Sequence, residues 1–171
     1  MFEMNLITDG RGRRKIQIEN ARIIWPNFSG KAGRFNREGE RDFTLVIPNE
    51  EIYEALINDV NEFGVGWNIR YREPMDPDGE PFITMKVKVN CNEYGPKAML
   101  ISGGRKVDLN AESISCLDSI DMALVDLTIR ANDGEMNGKA YRSAWLDAIY
   151  VTQELDPLAA KYNDYDYDYE E

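Results

Sequence analysis

Apolar and polar residues alternate along much of this chain of 171 residues, and such alternation is typical of β-strands with one buried face. Phe82–Cys91 has the most regular pattern, with every second residue apolar from Ile83 onward. The residues between them include Lys86 and Lys88, which would project together from the opposite face. The segment therefore predicts a strand with a buried apolar side and a solvated cationic side.

Similar patterns predict further strands along the chain. Alternation from Arg14 to Trp25 indicates a long first strand with a bulge around Asn20, and Pro26 ends it because proline cannot donate to a strand ladder. The other predicted strands are Arg41–Ile47, Trp67–Arg72, Lys97–Ile101, Arg105–Leu109, Met122–Arg130 and Lys139–Val151. Ser102-Gly103-Gly104 and Asn132-Asp133-Gly134 have the composition of the turns that join the last two pairs.

Residues 49–64 predict the one clear helix. Asn49 can cap it, and Glu50 and Glu51 fill the first turn, where the helix dipole favours acids. Its apolar stripe would be Ile52, Leu56, Val60 and Phe63, with Gly64 as the end. Ala111–Leu117 has the pattern of a second, short helix.

These elements predict an all-β fold class, with about eight short strands and one or two short helices. A bent antiparallel β-barrel is the leading architecture, and the leading candidate of this kind is the OB-fold. A β-sandwich is the alternative. We expect residues 1–157 to form one domain and residues 158–171 to form a flexible acidic tail, disordered in solution.

Composition excludes several classes of site. The chain has two cysteines and no histidine, so the usual zinc ligand sets and histidine-dependent nucleophilic catalysis are not available to it. We expect no cofactor and no metal. The N-terminus lacks an export signal and no apolar run is long enough to cross a membrane, which predicts a cytoplasmic protein without a membrane partner.

The net charge of −11 argues at first against a nucleic-acid partner, but the charge is unevenly distributed. Between Gly10 and Arg41 there are nine Lys or Arg residues against three acids, a local charge of +6. The last ten residues contain five acids and no cation. A nucleic-acid site would therefore be a local groove on an otherwise negative protein.

Aromatic and cationic residues are interleaved in Ala21–Phe43 and again in Trp67–Arg72. Bases stack on flat rings and phosphates attract cations, so this mixture favours a single nucleic-acid strand as ligand. The candidate stacking residues are Trp25, Phe28, Phe35, Trp67 and Tyr71. The candidate phosphate contacts are Lys31, Arg34, Arg41, Arg70, Arg72, Lys86 and Lys88. Aromatic residues also dominate protein cores, and we expect at least one of the five rings to be structural.

Four segments resemble the single-stranded DNA-binding proteins encoded by tailed bacteriophages. They are NARIIWPNFSGKAGRFNREGERDFTLVIP at Asn20–Pro48, GWNIRYREP at Gly66–Pro74, MKVKVNCNEYGPKAMLISGGR at Met85–Arg105, and the strand-rich Val125–Val151. The resemblance implies an OB-fold and sequence-independent binding of single strands during phage DNA replication and recombination, in the cytoplasm of the host cell. A homodimer is compatible with it.

The resemblance also implies that the acidic tail contacts replication proteins such as a polymerase or a helicase. The partner-binding tail would comprise Asp164, Tyr165, Asp166, Tyr167, Asp168, Tyr169, Glu170 and Glu171. Such tails often finish in an aromatic residue, whereas this one ends in two glutamates, which puts the identity of its partners in doubt. Alternating acids and rings resemble phosphates and bases, so we also expect the tail to compete with DNA for the protein's own groove.

Two other functions are compatible with parts of the sequence. The acids Asp108, Glu112, Asp118, Asp121 and Asp126 have the chemistry of a magnesium-dependent nuclease, but their spacing matches no motif, and we expect no enzyme. An acidic protein-interaction module, or a DNA mimic that does not bind DNA, would account for the net charge and the tail. It would have no use for the two basic aromatic segments.

Overall fold

The computed structural model describes residues 1–34, 36–93 and 95–155, together with Leu158. The strands are β1 (Glu3–Thr8), β2 (Arg14–Glu19), β3 (Arg22–Asn27), β4 (Arg41–Ile47), β5 (Arg70–Arg72), β6 (Phe82–Val89), β7 (Lys97–Ser102), β8 (Arg105–Leu109), β9 (Met122–Met136) and β10 (Lys139–Gln153). Helix α1 spans Glu50–Ile57, and a short 3₁₀ helix spans Ile114–Asp118. The predicted fold class, mainly β with one or two short helices, is confirmed.

The ten strands form one sheet in the order β1-β2-β9-β10-β6-β4-β3. Strand β5 pairs with the start of β6, while β7 pairs with the second half of β10 and carries β8 on its other edge. Neighbours are antiparallel except where β10 meets β6 and β7, which it pairs in parallel. Among the described residues the pairing does not close into a ring, so the sheet is an open one, and the OB-fold is itself a partly open barrel.

One side of the sheet encloses the apolar core. Alternate residues of β4 and β6 are buried there, including Phe43 and Leu45 on β4 and Met85 and Val87 on β6, as the sequence pattern predicts. Helix α1 packs Leu56 against this core, and the Asn49 side chain caps the helix by accepting a hydrogen bond from the Ile52 amide. The Asn49 cap and the buried faces of β4 and β6 agree with the prediction.

The predicted long first strand is wrong, because the chain breaks into β2 and β3 at Asn20. The backbone of Asn20 has φ +57°, a left-handed conformation that asparagine tolerates better than most residues. The backbone amide of Asn20 donates to Asp126 Oδ1 on β9. Strand β2 then pairs with β1 and β9, whereas β3 pairs with β4 at the other end of the sheet. Strand β2 buries Ile16 and Ile18, whereas no residue of β3 is fully buried and its partly buried residues do not alternate. The apolar alternation read from the sequence therefore did not reveal the break.

The helix is also shorter than predicted. It ends at Ile57, and Val60 and Phe63 are about half exposed in the loop that follows. The loop is held by Asp59, which accepts hydrogen bonds from Arg14 and Trp67, and by Asn61, whose side chain accepts from two later amides. These bonds turn the chain away from the helix axis, so the apolar stripe predicted beyond Ile57 does not form.

The hairpin of β9 and β10 turns at Asn137-Gly138, so the predicted turn at 132–134 is wrong. Both turn residues have positive φ, 55° and 77°, as a two-residue hairpin turn requires. Gly134 instead lies within β9, where it pairs with Tyr141, and a Cβ built on Gly134 would lie 2.6 Å from the Tyr141 hydroxyl oxygen. The tyrosine ring covers the glycine, which explains why a turn residue can sit inside a strand.

Candidate nucleic-acid interface

The side of the sheet that faces away from the core carries a row of cations and rings. On β6 it presents Phe82, Thr84, Lys86 and Lys88, which alternate with the buried Ile83, Met85 and Val87. Residues paired directly across neighbouring strands share a face, so the register identifies the rest. We call this surface the outer face; its β5, β6, β10, β9 and β2 residues are Arg70 and Arg72, then Phe82, Thr84, Lys86 and Lys88, then Trp145, Arg130 and Lys15. Strand β4 adds Asp42, Thr44 and Val46, which pair with Lys88, Lys86 and Thr84.

One end of the outer face is centred on Trp145. Lys88 is its partner in the parallel pairing with β6, and Lys88 Nζ lies 5.9 Å from the centre of the indole ring. Arg130 is its partner on β9, and Lys15 is in turn opposite Arg130. A half-buried indole thus lies between cations of β6 and β9, and Lys15 of β2 lies beyond Arg130. We call this region the Trp145 end.

The other end of the outer face is centred on Phe82. The guanidinium carbon of Arg72 lies 5.7 Å from the centre of the Phe82 ring. Trp25 meets the same ring edge to face, with centroids 6.0 Å apart, and is 64 % exposed. Trp25 has φ +51°, a left-handed conformation at an irregularity in the pairing of β3 with β4. We call this region the Phe82 end.

The two ends are joined by the cationic side of β6. Six residues separate Phe82 from Lys88, about 20 Å at roughly 3.3 Å per residue. Lys86 lies between them, exposed, with Nζ 3.4 Å from Asp42 Oδ2. A strand of nucleic acid laid along β6 would therefore meet a ring at each end and ammonium or guanidinium groups between.

Five predicted site residues come together on or beside this surface: Trp25, Arg70, Arg72, Lys86 and Lys88. Lys31 and Arg34 are exposed in the loop between β3 and β4. That loop approaches the outer face through Asn36, whose side-chain amide donates to Asp42 beside Lys86. Phe35 and the predicted partner-binding tail lie outside the described residues.

Phe28 and Trp67 do not fit the predicted stacking role, because both are core residues. Phe28 is fully buried and stacks on Phe43 with ring centroids 5.5 Å apart. Trp67 is 3 % exposed. Its indole Nε1 donates to Asp59, and the guanidinium of Arg142 lies 4.9 Å from its ring centre. The expectation that at least one of the five rings is structural agrees with these positions.

Tyr71 and Arg41 are also directed elsewhere. Tyr71 pairs with Ile83, so it points to the side opposite Arg70 and Arg72, and its ring packs on Tyr53. Its hydroxyl donates to Glu50, and this bond raises the pKa of Tyr71 to about 12. Arg41 donates to the backbone oxygen of Ala111 and to Cys91 Sγ, so it ties two loops together. Neither residue has the geometry of a contact on the outer face.

Sequence analysis missed Trp145, Arg130 and Lys15, which form the Trp145 end of the outer face. The signal was present in the alternation of Lys139–Val151, where Tyr141, Ser143 and Trp145 fall between the buried Arg142, Ala144 and Leu146. The cationic partners could not be found in this way, because Lys15 and Arg130 are far apart in sequence and become neighbours only through the register of β2 with β9.

The turn between β1 and β2 places a further cation, Arg13, next to Lys15. Asp9 holds both, since its carboxylate lies 3.2 Å from Arg13 Nε and 3.4 Å from Lys15 Nζ. The hydrogen bond from the Arg13 amide, together with the Arg11 amide and Lys15, lowers the pKa of Asp9 from 3.8 to about 2. Asp9 therefore stays ionised at neutral pH and fixes the cations of the turn beside the Trp145 end.

Two of the acids considered for a nuclease site, Asp118 and Asp126, accept backbone amides. Asp118 accepts the backbone amides of Phe28 and Ser29, at 2.7 and 3.0 Å. In the part of the chain that the structure describes, no three acids or cysteines are placed to hold a metal ion. No helix within the described ranges is long and apolar enough to span a membrane.

Comparison with known proteins agrees with this architecture. Residues 8–170 match the family model described as "Putative phage ssDNA-binding domain". Two solved structures are similar in fold, and a comparison with curated protein sequences gives no match. The first is the single-stranded DNA-binding protein of bacteriophage Enc34, with a TM-score of 0.52, 14 % identity, and coverage of 91 % of this chain and 92 % of that one. The second is the same phage protein in complex with ssDNA, with a TM-score of 0.50, 15 % identity, and coverage of 91 % and 98 %.

Proposed function

The chain belongs to the phage ssDNA-binding domain family, and on that premise we propose that it binds single-stranded DNA along the outer face. The observation that carries the proposal is the row on β6, with Arg72 beside Phe82 at one end and Lys88 beside Trp145 at the other. Stacking on rings and contact of phosphates with cations are both independent of base identity. Binding is therefore independent of sequence to a first approximation.

In biological terms, the protein coats and protects single strands during phage DNA replication and recombination in the host cytoplasm. It acts as a binding protein and not as an enzyme. Residues 1–157 form the DNA-binding domain, of the OB type, and residues 158–171 recruit replication proteins. The family model supports the DNA-binding part of this proposal, and the unclosed mainly antiparallel sheet is compatible with the OB architecture.

The proposed function is tested by titrating the full-length protein into a fluorescein-labelled dT oligonucleotide and, separately, into a blunt duplex of the same length. We expect saturable binding to the single strand and much weaker binding to the duplex, because no described helix lies on the outer face to enter a major groove. Affinity falls with salt, with a log–log slope of about −0.7 per phosphate contacted. Equal affinity for the duplex, or no salt dependence, contradicts the proposal.

If the protein is instead an acidic DNA mimic that does not bind DNA, the fluorescence anisotropy of the labelled oligonucleotide does not change in the same titration. The outer face argues against it, since a mimic presents acids where this surface presents Arg70, Arg72, Lys86 and Lys88. The net charge of −11 remains compatible with DNA binding because these cations are gathered on one side of the sheet.

A further inference from the structure

A cavity of about 480 Å³ opens beside Trp145, at the Trp145 end of the outer face. Its lining includes Arg11, Arg13 and Arg130, the side-chain amides Asn90 and Asn92, and the indole of Trp145. A flat stacking platform needs only the ring. A recess lined by three guanidinium groups and two amides has the functional groups to surround a ligand with a phosphate and a polar ring edge.

The cations around this cavity outnumber the acids. Asp147 lines the cavity, but its carboxylate accepts from Lys15 Nζ at 2.9 Å. Asp9 is engaged by Arg13 and Lys15. The side chain of Arg11 forms no ion pair with any other residue that the structure describes, and only its backbone amide bonds to Asp9. An anion entering the cavity therefore meets an excess of positive charge.

Two buried N–H groups at this site have no acceptor within the described part of the chain: Nε of Arg130 and Nε1 of Trp145. They belong to residues paired across β9 and β10, so they lie on the same face. A buried donor without an acceptor is costly. Both nitrogens are shielded from solvent, so an oxygen atom of a ligand in the cavity reaches them only when the side chains of Trp145 and Arg130 shift.

We propose that this cavity is a nucleotide pocket that takes one nucleotide of the bound strand. The inference rests on the proposed function for the source of that nucleotide. The phosphate lies among Arg11, Arg13 and Arg130, the base packs on Trp145, and Asn90 and Asn92 bond to its edge. One position along an otherwise sequence-independent site is thereby held by more than stacking, and a free nucleotide binds there weakly without the rest of the strand.

The test uses the indole N–H resonances of the full-length protein, which has three tryptophans. Their environments differ: Trp145 Nε1 is buried without an acceptor, Trp67 Nε1 donates to Asp59, and Trp25 is largely exposed. Thymidine 5′-monophosphate, thymidine and inorganic phosphate are titrated separately into ¹⁵N-labelled protein. We expect the monophosphate to move the Trp145 resonance saturably and downfield, thymidine and phosphate to move it far less, and Trp67 to stay in place.

Two substitutions test whether the nucleotide binds among the arginines of the cavity. Arg130→Ala removes the unpartnered donor, and Arg11→Ala removes a cation from an exposed turn where loss of folding is not expected. Each weakens nucleotide binding by about tenfold or more, as expected for the loss of a charge-assisted hydrogen bond. Lys106→Ala, which removes an exposed cation from β8, is the matched control and leaves the titration unchanged.

The outcomes separate this inference from the function on which it rests. If the dT oligonucleotide binds but the monophosphate moves Trp145 no more than phosphate does, there is no nucleotide pocket and the proposed function stands. If the monophosphate moves Trp145 while the oligonucleotide fails to bind, the pocket is a site for a free nucleotide and the proposed function fails. Unchanged nucleotide binding in both arginine variants also overturns the pocket.

Discussion

The guanidinium of Arg142 lies over the ring of Trp67, 4.9 Å from its centre, and both residues are at least 95 % buried. Arg142 also bonds to Asp133 and to the backbone oxygen of Asp59, so the pair joins the loop after α1 to the β9–β10 hairpin. We expect Trp67→Ala to lower the free energy of unfolding by roughly 3–5 kcal/mol, as for other buried large rings. Urea denaturation measures this, and oligonucleotide affinity under strongly native conditions should be nearly unchanged.

Substitution of Trp145 or Trp25, in contrast to Trp67, should weaken single-strand binding. Trp25→Ala and Trp145→Ala should each cost roughly 1–3 kcal/mol of single-strand binding, the usual value of a base stacked on a ring. Fluorescence anisotropy measures the affinity and thermal melting measures the stability of the same samples. Stability should fall little for Trp25, which is 64 % exposed. A Trp25 variant with intact affinity would remove the Phe82 end from the DNA path.

The cations of the outer face should control the salt dependence of binding. Lys88→Ala and Arg72→Ala should each reduce the steepness of the log–log salt plot by about 0.7, the value for one phosphate contact on a single strand. Lys106→Ala on β8 removes the same charge from an edge hairpin and serves as the control. If all three variants change the slope equally, the effect is one of net charge and the outer face is not the binding surface.

Acid should weaken the fold through Asp59 and Asp133. Burial alone would raise the pKa of both carboxyls, but hydrogen bonds from Arg14 and Trp67 to Asp59, and from Arg142 and Asn61 to Asp133, outweigh it and leave both below 3.8. The unfolded chain therefore takes up these protons first. The stabilisation is complete above the unfolded pKa and is lost as pH falls through the lower folded values, so unfolding free energy should decline below about pH 4.

Asp59→Asn tests the source of that decline. The amide keeps the size of the side chain but cannot titrate, so the variant should be less stable at neutral pH by roughly 1–3 kcal/mol and should lose less stability on acidification. Asp108→Asn, an exposed position on β8, should leave the pH profile as it is. Parallel profiles for wild type and Asp59→Asn would assign the acid sensitivity to other groups.

Removing the acidic tail should tighten binding. Truncation after Lys161 deletes five acids and four tyrosines, which we infer to compete weakly with DNA at a high effective concentration. The gain in affinity should be largest at low salt, where electrostatic attraction is least screened, and should shrink as salt is added. Equal affinities of the truncated and intact proteins at low salt would show that the tail is not an internal competitor.

Local sequence signals predicted the elements whose determinants lie close together in the chain. The Asn49 cap, the alternation of Phe82–Val89 and the glycine turn between β7 and β8 each need only a few neighbouring residues. The predicted end of the helix was wrong because the residues that end it are distant in sequence. The Asp59 side chain is bound by Arg14, 45 residues earlier, and the Asp59 backbone oxygen is bound by Arg142, 83 residues later.

The candidate site was only partly predictable for a related reason. Trp25 and Phe28 are three residues apart in one basic aromatic segment, yet one is exposed and the other fully buried. The left-handed backbone at Trp25 breaks the alternation, so the pattern could not assign the ring to a face. Trp145 lies outside the two basic aromatic segments, Ala21–Phe43 and Trp67–Arg72, and its cationic neighbours come from β6 and β9.

Strands β9 and β10 carry the core on one side and Trp145 with Arg130 on the other. Trp145 and Arg130 thus belong to backbone that should be the last to unfold, since Ile129 and Ile149 on the core side of the same two strands are fully buried. Such a surface is already shaped before its ligand arrives and loses little conformational entropy on association. Most of the ordering cost then falls on the flexible nucleic acid. Amides of these two strands exchange through global opening, so DNA should slow their exchange by no more than the factor by which binding stabilises the whole fold.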